Sequence, residues 1–200
     1  MSRHKGDHDA RRRDVSGAVW RVLAAQGFGG LTLRAVATEM GATTGLVTHY
    51  FGSKRELVEH ALGLLDERRG ARPAPSAPEG LAGLRAALAE TLPLTPEAAA
   101  SNRIWIGSWD AALSAPELAA GHGLRYAQAR ERIRDHVLVA QRLGEIPESD
   151  ADDVAAFINS FMLGLIVQAL LDADAFPPER QLRLLDAFLA ELSASSPGTG

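Results

Sequence analysis

"GATTGLVTHYFGSKREL", residues 41–57, is the stretch on which the fold turns. It packs three threonines, a histidine, a tyrosine and two cations into a segment with helical period, opening on a glycine and closing on an S-x-x-E signature. Gly41 breaks the chain, Thr43 can cap a short helix ending near Phe51-Gly52, and Ser53 with Glu56 forms a capping box for the helix that follows, to about Glu67. Working backwards, Thr32 is an N-cap for another short helix, whose Leu33, Val36, Ala37 and Met40 fall at i, i+3, i+4 and i+7. Before it, a longer helix follows "RRR" (Arg11–Arg13), lines up Val15, Ala18, Val19, Val22 and Leu23 on one face, and ends at "QGFGG".

Two short helices joined by a glycine turn, the second opening on small hydroxyl residues, describe a helix-turn-helix, in which the second helix enters the DNA major groove. Thr44, Gly45, Thr48 and His49 are then the base-facing candidates, and Leu46, Val47 and Phe51 hold the helix to its own core. Small residues at 43–45 allow close approach, hydroxyls bond phosphates or base edges, and threonine methyls meet thymine methyls. Tyr50 and Lys54 suit phosphates, with Lys54 at the start of the next helix, and Thr32, Arg34 and Thr43 complete the DNA-facing set.

Charge agrees with that placement. Residues 1–72 carry 12 Lys and Arg against 8 Asp and Glu, whereas residues 73–200 carry 9 against 17, so the basic end is the one that can face a polyanion. Arg3, His4 and Lys5 can serve as a flexible arm reaching phosphate or minor groove, as can Arg11–Arg13. With no cysteine among 200 residues there is no disulfide, thiolate metal site or cysteine nucleophile. No run approaches the roughly 18–20 apolar residues of a membrane span, and the first residues lack the apolar segment of a signal peptide, so a cytoplasmic protein with no membrane partner is expected.

Helical period continues beyond "RGARPAPSAP" (residues 69–78), where three prolines in six residues end the head. Helices are expected at about 79–92, 96–114, 116–143, 150–173 and 178–194. The whole is an all-α protein of about nine helices: a three-helix helix-turn-helix head and a helical ligand-binding and dimerisation body. The expected organisation is an arm over 1–10, the DNA-binding domain over 11–54, the body over 55–194 with helix 55–67 as connector, and a disordered tail over 195–200. "VAAFINSFMLGLIVQALL" and "QLRLLDAFLAEL" are apolar around most of their circumference and must be covered on all sides, which points to a second copy across a two-fold four-helix bundle. Phe161, Gly164, Leu165, Gln168, Leu185, Phe188 and Leu189 are the interface candidates.

The segment "GLTLRAVATEMGATTGLVTHYFGSKREL", with its "HYF-x-S-K-x-x-L" ending, resembles the DNA-binding head of the TetR family of one-component bacterial regulators over about residues 11–67. "RIWIGSWDAALSAPEL" (103–118) and "GLIVQALLD" (164–172) resemble the betaine-regulator-like subgroup. The resemblance implies a homodimer on duplex operator DNA and a body that holds a small apolar or cationic effector. Thr48 stands where many relatives carry an aromatic residue, and Leu163 where an acidic one is common in the subgroup.

For the effector, Trp105 and Trp109 share a stripe of one helix and His122 and Tyr126 a stripe of the next, with Phe157, Phe161 and Met162 on a third. Aromatic rings with polar handles suit an apolar pocket with a few orienting hydrogen bonds, and tryptophan faces suit a quaternary ammonium. The bland alternative is that these rings are core, leaving a DNA-binding protein whose body only dimerises. An enzyme is the rival from another class, but there is no Gly-rich phosphate loop, metal-ligand spacing or serine elbow. No cofactor, metal or catalytic residue is expected, and Asp150, Asp152 and Asp153 at a helix start serve its dipole.

Overall fold

Ten helical segments, and no strand, follow one another among the described residues of this computed structural model: α1 (Arg3–Gln26), α2 (Leu33–Glu39), α3 (Thr44–Tyr50), α4 (Lys54–Gly70), α5 (Gly80–Ala89), α6 (Pro96–Gly107), α7 (Trp109–Ser114), α8 (Pro116–Arg142), α9 (Ala151–Leu171) and α10 (Pro178–Ala194). The structure describes residues 3–70 and 78–194, without the side chains of residues 3–13, Lys54 and residues 65–70. The expected tail over 195–200, most of the proline-rich boundary, and the side chains of Arg3, His4, Lys5, Arg11–Arg13 and Lys54 lie outside the described residues.

The all-α expectation holds, and two boundaries differ from those read in the sequence. Helix α1 begins at Arg3, so most of the segment expected as an arm is continuous with it. No proline interrupts residues 3–13 and Gly6 is the only weak helix former of its kind there, so nothing stops the helix from extending. The helix expected over 96–114 divides at Ser108, whose amide (3.1 Å) and hydroxyl (2.6 Å) both donate to the Trp105 carbonyl. That carbonyl is the one Trp109 N–H would take in an unbroken α-helix, so the ladder is interrupted between α6 and α7.

The chain divides into two compact units, one of residues 1–73 with 103–111 and the other of residues 74–102 with 112–200. In the first, Val15, Val19, Val22 and Leu23 of α1 are buried with Val36 of α2, Val47 of α3 and Leu57, Val58, Ala61 and Leu62 of α4. Helix α4, expected as a connector with the body, is therefore part of the head by its apolar face. The α6–α7 junction belongs here too, since a Cβ placed on Gly107 would lie 3.3 Å from Phe28 Cβ.

In the second unit α8 packs against α5 and α9, and α10 against α5. Leu84, Leu88, Leu92, Val137, Ile158, Met162, Leu165, Leu185 and Leu189 form its core. Helix α9 corrects the expectation that no run is long enough for a membrane span: by length and composition it is. In the structure its Ala155, Ile158, Met162, Leu165 and Ile166 are instead buried within this unit, as in any helix that supplies the centre of a core. Glu79, at the N-cap of α5, makes no capping bond, and Glu145 from the α8–α9 connection accepts the Leu81 N–H at 2.7 Å.

Arg85 of α5 reaches Asp186 of α10 with two hydrogen bonds, Nε to Oδ1 at 2.5 Å and Nη2 to Oδ2 at 3.0 Å. The hydrogen bond from Arg85 holds the Asp186 carboxyl below its usual value, burial opposes that shift, and the Arg85 charge adds to the lowering. Since the folded carboxylate takes a proton less readily than the unfolded one, the pair stabilises above the ordinary carboxylate range, and that stability is lost as pH falls through the folded value. Both side chains are nearly half exposed, at 44% and 48%, so solvent screening keeps the effect under about 1 kcal/mol. Asp186→Asn should lower the thermal midpoint slightly at neutral pH, and melts at descending pH should show the gap from the parent chain closing below the carboxylate range. Leu185→Ala, at a side chain with no exposed surface, should cost about 2–5 kcal/mol at every pH.

Candidate nucleic-acid interface

The head presents α3 by means of a tight turn. Helix α2 ends with Gly41 in the left-handed region (φ 62°), where Gly41 N–H donates to Thr38 O (3.0 Å) and Ala42 N–H to Ala37 O (2.9 Å). Crossed bonds of this kind close a helix on a residue with positive φ, a position that costs a side-chain-bearing residue but not glycine. Thr43 then caps α3, its Oγ1 accepting Leu46 N–H at 3.4 Å, as Thr32 caps α2 by accepting Ala35 N–H at 3.0 Å.

Within α3 the residues sort by face. Val47 is fully buried, Phe51 just after the helix is buried, and Leu46 is half-buried. Thr43, Thr44, Gly45, Thr48 and His49 are exposed, as are Thr32 and Arg34 at the start of α2. Tyr50 is half-buried with its ring edge-on to His49, centroids 5.4 Å apart. The nine residues read as DNA-facing thus lie on α2, α3 and the start of α4, Lys54 by its backbone position alone.

Helix α4 starts with the expected reciprocal cap in a variant form: Ser53 Oγ accepts Glu56 N–H at 3.2 Å, while Glu56 Oε2 accepts Gly52 N–H at 2.9 Å, one residue earlier than the usual box. The sequence reading missed two sets of contacts within the head, one around His60 and one between Arg21 and Glu39. Ser16 Oγ of α1 lies 2.9 Å from His60 Nε2 of α4, and the His60 ring packs on Phe51 at 5.0 Å. Arg21 of α1 pairs with Glu39 of α2 at 2.5 Å. Neither has a local spacing signature, so a sequence pattern could not have shown them.

The residues read as effector-binding do not form one cluster within either unit. Trp105 and Trp109 belong to the first unit, and His122, Tyr126, Phe157, Phe161 and Met162 to the second. Trp105 is buried, and Trp109 Nε1 is a buried donor without a hydrogen-bond partner. On α8, His122 is buried with its ring 6.3 Å from Tyr126. Met162 sits in the core of the second unit, while Phe157 is 59% exposed.

The interface candidates also separate. Leu165, Leu185 and Leu189 are buried in the core of a single chain and offer no surface, because helical period marks an apolar stripe without saying which neighbour covers it. Gly164 and Gln168 are exposed, with nothing within 4 Å of a Cβ built on Gly164, and Phe161 and Phe188 are half-buried and stacked, centroids 3.9 Å apart. Of the acids at 150–153, Asp150 caps α9 through Asp152 N–H and Asp153 N–H, and Asp152 pairs with Arg134 at 3.2 Å. These contacts serve the helix start.

A short helix held by one buried face behind a glycine turn, with its small polar face outward, defines a helix-turn-helix DNA-binding protein. Residues 18–61 match the family described as "Bacterial regulatory proteins, tetR family", and residues 80–194 match "BetI-type transcriptional repressor, C-terminal". The HTH-type transcriptional regulator BetI of Paraburkholderia phymatum is 27% identical over 195 residues, covering 96% of this chain and 97% of the relative. Among solved structures, a transcriptional regulator from Rhodococcus sp. Rha1 superposes with a TM-score of 0.80 at 24% identity, over 90% of this chain and 94% of the other. One from Saccharomonospora viridis in complex with choline gives 0.78 at 21%, over 91% and 96%. The chain belongs to the TetR family of bacterial transcriptional regulators, with a BetI-type body, and binds DNA.

Gly41→Ala should cost about 1–2 kcal/mol, the penalty of a left-handed conformation with a Cβ, and weaken DNA binding by disturbing the seat of α3. Thermal melts beside a binding titration check both, and an unchanged melt would show that the turn tolerates a side chain.

Proposed function

We propose that the chain is a repressor which binds a palindromic operator as a homodimer in the bacterial cytoplasm and is released by a small apolar or cationic effector. The observation that carries the DNA half is the face of α3, where Val47 is buried while Thr44, Gly45, Thr48 and His49 stand exposed on a seven-residue helix. Base readout belongs to Thr44, Thr48 and His49, and phosphate contact to Thr32, Arg34, Thr43, Tyr50 and Lys54.

The dimer reading is supported by a strip on α9. Phe157, Phe161, Gly164, Gln168 and Leu171 recur at alternating spacings of four and three, with Phe188 of α10 stacked beside them, and Phe157 and Leu171 are 59% and 83% exposed. A strip with that period is the seam of a helix pair, and a two-fold axis there would give two heads that address half-sites about 34 Å apart. The effector reading is supported by the unpartnered Trp109 donor and by the choline held in the Saccharomonospora viridis structure. The second reading, a body that only dimerises, is favoured by the burial of Met162 in the core.

Binding-site selection on genomic DNA followed by footprinting tests the reading, and the absence of any protected palindrome would overturn it. Lys54→Ala should weaken binding about equally on all duplexes and reduce the log–log salt slope by roughly one. Phe157→Asp places a charge on an exposed side chain, so the monomer should keep its fold while sedimentation shows loss of the dimer and operator affinity falls with it. An effector such as choline, titrated by tryptophan fluorescence, should weaken operator binding by about 5- to 150-fold, the range of ordinary allosteric coupling. Tight binding with no change in operator affinity would defeat release by that effector, and a body that binds none of the candidates would favour the one that only dimerises.

A further inference from the structure

Three of the exposed threonines of the α2–α3 unit, Thr32, Thr43 and Thr48, differ in where their hydroxyl protons go. Thr32 and Thr43 use their oxygens to accept backbone N–H groups, from Ala35 and Leu46, and so keep their own protons for an outside acceptor. Thr48 does the reverse, donating its proton to the Gly45 carbonyl at 3.0 Å. Phosphate oxygens only accept, so Thr32 and Thr43 are matched to them and Thr48 is not. With Oγ1 held back against the helix backbone, the remaining branch of the staggered side chain, the Cγ2 methyl, is the group left to project. One turn earlier stands Gly45, which puts no side chain of its own over that methyl, and a Cβ built there would meet nothing closer than Thr43 Oγ1 at 3.8 Å.

We propose that Thr48 is a specificity-determining residue that places its methyl against the C5-methyl of a thymine in the major groove, and makes no phosphate contact. The inference rests on the DNA-binding reading of α3 and adds what one of its residues recognises. Apolar contact with the thymine methyl distinguishes T from the other bases in that groove.

The full-length chain is titrated by fluorescence anisotropy with duplexes recovered by selection from genomic DNA, in which each thymine is replaced singly by uracil, which keeps the pairing and lacks the methyl. In each half-site one thymine should be found whose replacement weakens binding about four-fold, the value of one buried methyl-sized group. Thr48→Ser, which keeps the hydroxyl and loses the methyl, should bind the thymine and uracil duplexes alike. Thr48→Val, which keeps the methyl and loses the hydroxyl, should retain both the preference and the affinity for the thymine duplex. The inference is overturned if uracil has no effect at any position in the parent chain, if Thr48→Ser keeps the preference, or if Thr48→Val weakens binding to the thymine and uracil duplexes alike, as loss of a phosphate hydrogen bond would. Failure to recover any duplex would defeat the DNA-binding reading itself, whereas ordinary salt-dependent binding without the uracil effect defeats only the role of Thr48.

Discussion

The left-handed turn at Gly41 is the constraint behind the DNA-binding surface. Its two crossed hydrogen bonds, to Thr38 O and Ala37 O, satisfy the end of α2 within two residues, and Thr43 begins α3 immediately afterwards. A connection this short leaves little freedom in the angle between the helices, so burying Val36 and Ala37 of α2 also fixes which face of α3 turns inward. A seven-residue helix has little stability of its own. It persists because a cap holds one end and Val47 and Phe51 anchor the other, and the same arrangement leaves Thr44, Thr48 and His49 outside.

Local signals explain why the head was legible from its sequence. Thr32, Thr43 and Ser53 cap the helices they precede, and the apolar faces of α1 and α2 fall where helical period puts them. Each of these features involves residues a few positions apart, which is the range over which sequence pattern carries structural meaning. Contacts between distant residues had no such signature. The Ser16–His60 bond spans 44 positions, and nothing in either neighbourhood marks it. The same limit hid the allegiance of Gly107, a glycine inside a helix whose place beside Phe28 comes from tertiary packing.

In the body, period located the helices but could not assign their surfaces. Leu165, Leu185 and Leu189 belong to stripes as apolar as the one that holds Phe157 and Leu171, yet the first three are core and the last two are exposed. The difference lies in which side α5 and α8 occupy, a fact of topology. Trp105 and Trp109 show a related limit. Their i, i+4 spacing reads as one stripe of one helix, whereas Ser108 diverts the Trp105 carbonyl and ends the helix between them. A serine can cap, bend or merely face solvent, and its sequence context does not say which.

That ambiguity of small hydroxyl residues recurs on the recognition helix, where it bears on function. Composition makes Thr32, Thr43 and Thr48 equivalent, and all three are exposed. Two of them accept from the backbone and one donates to it, which gives them opposite capacities toward an acceptor-only phosphate. The distinction follows from position: a threonine before a helix meets free amide groups, and one inside a helix meets carbonyls of the preceding turn. On a short recognition helix, therefore, the N-cap hydroxyl is suited to fixing the register on the DNA backbone. The hydroxyl a turn later is occupied by its own helix, which leaves the methyl as the group free to face a base, as proposed for Thr48.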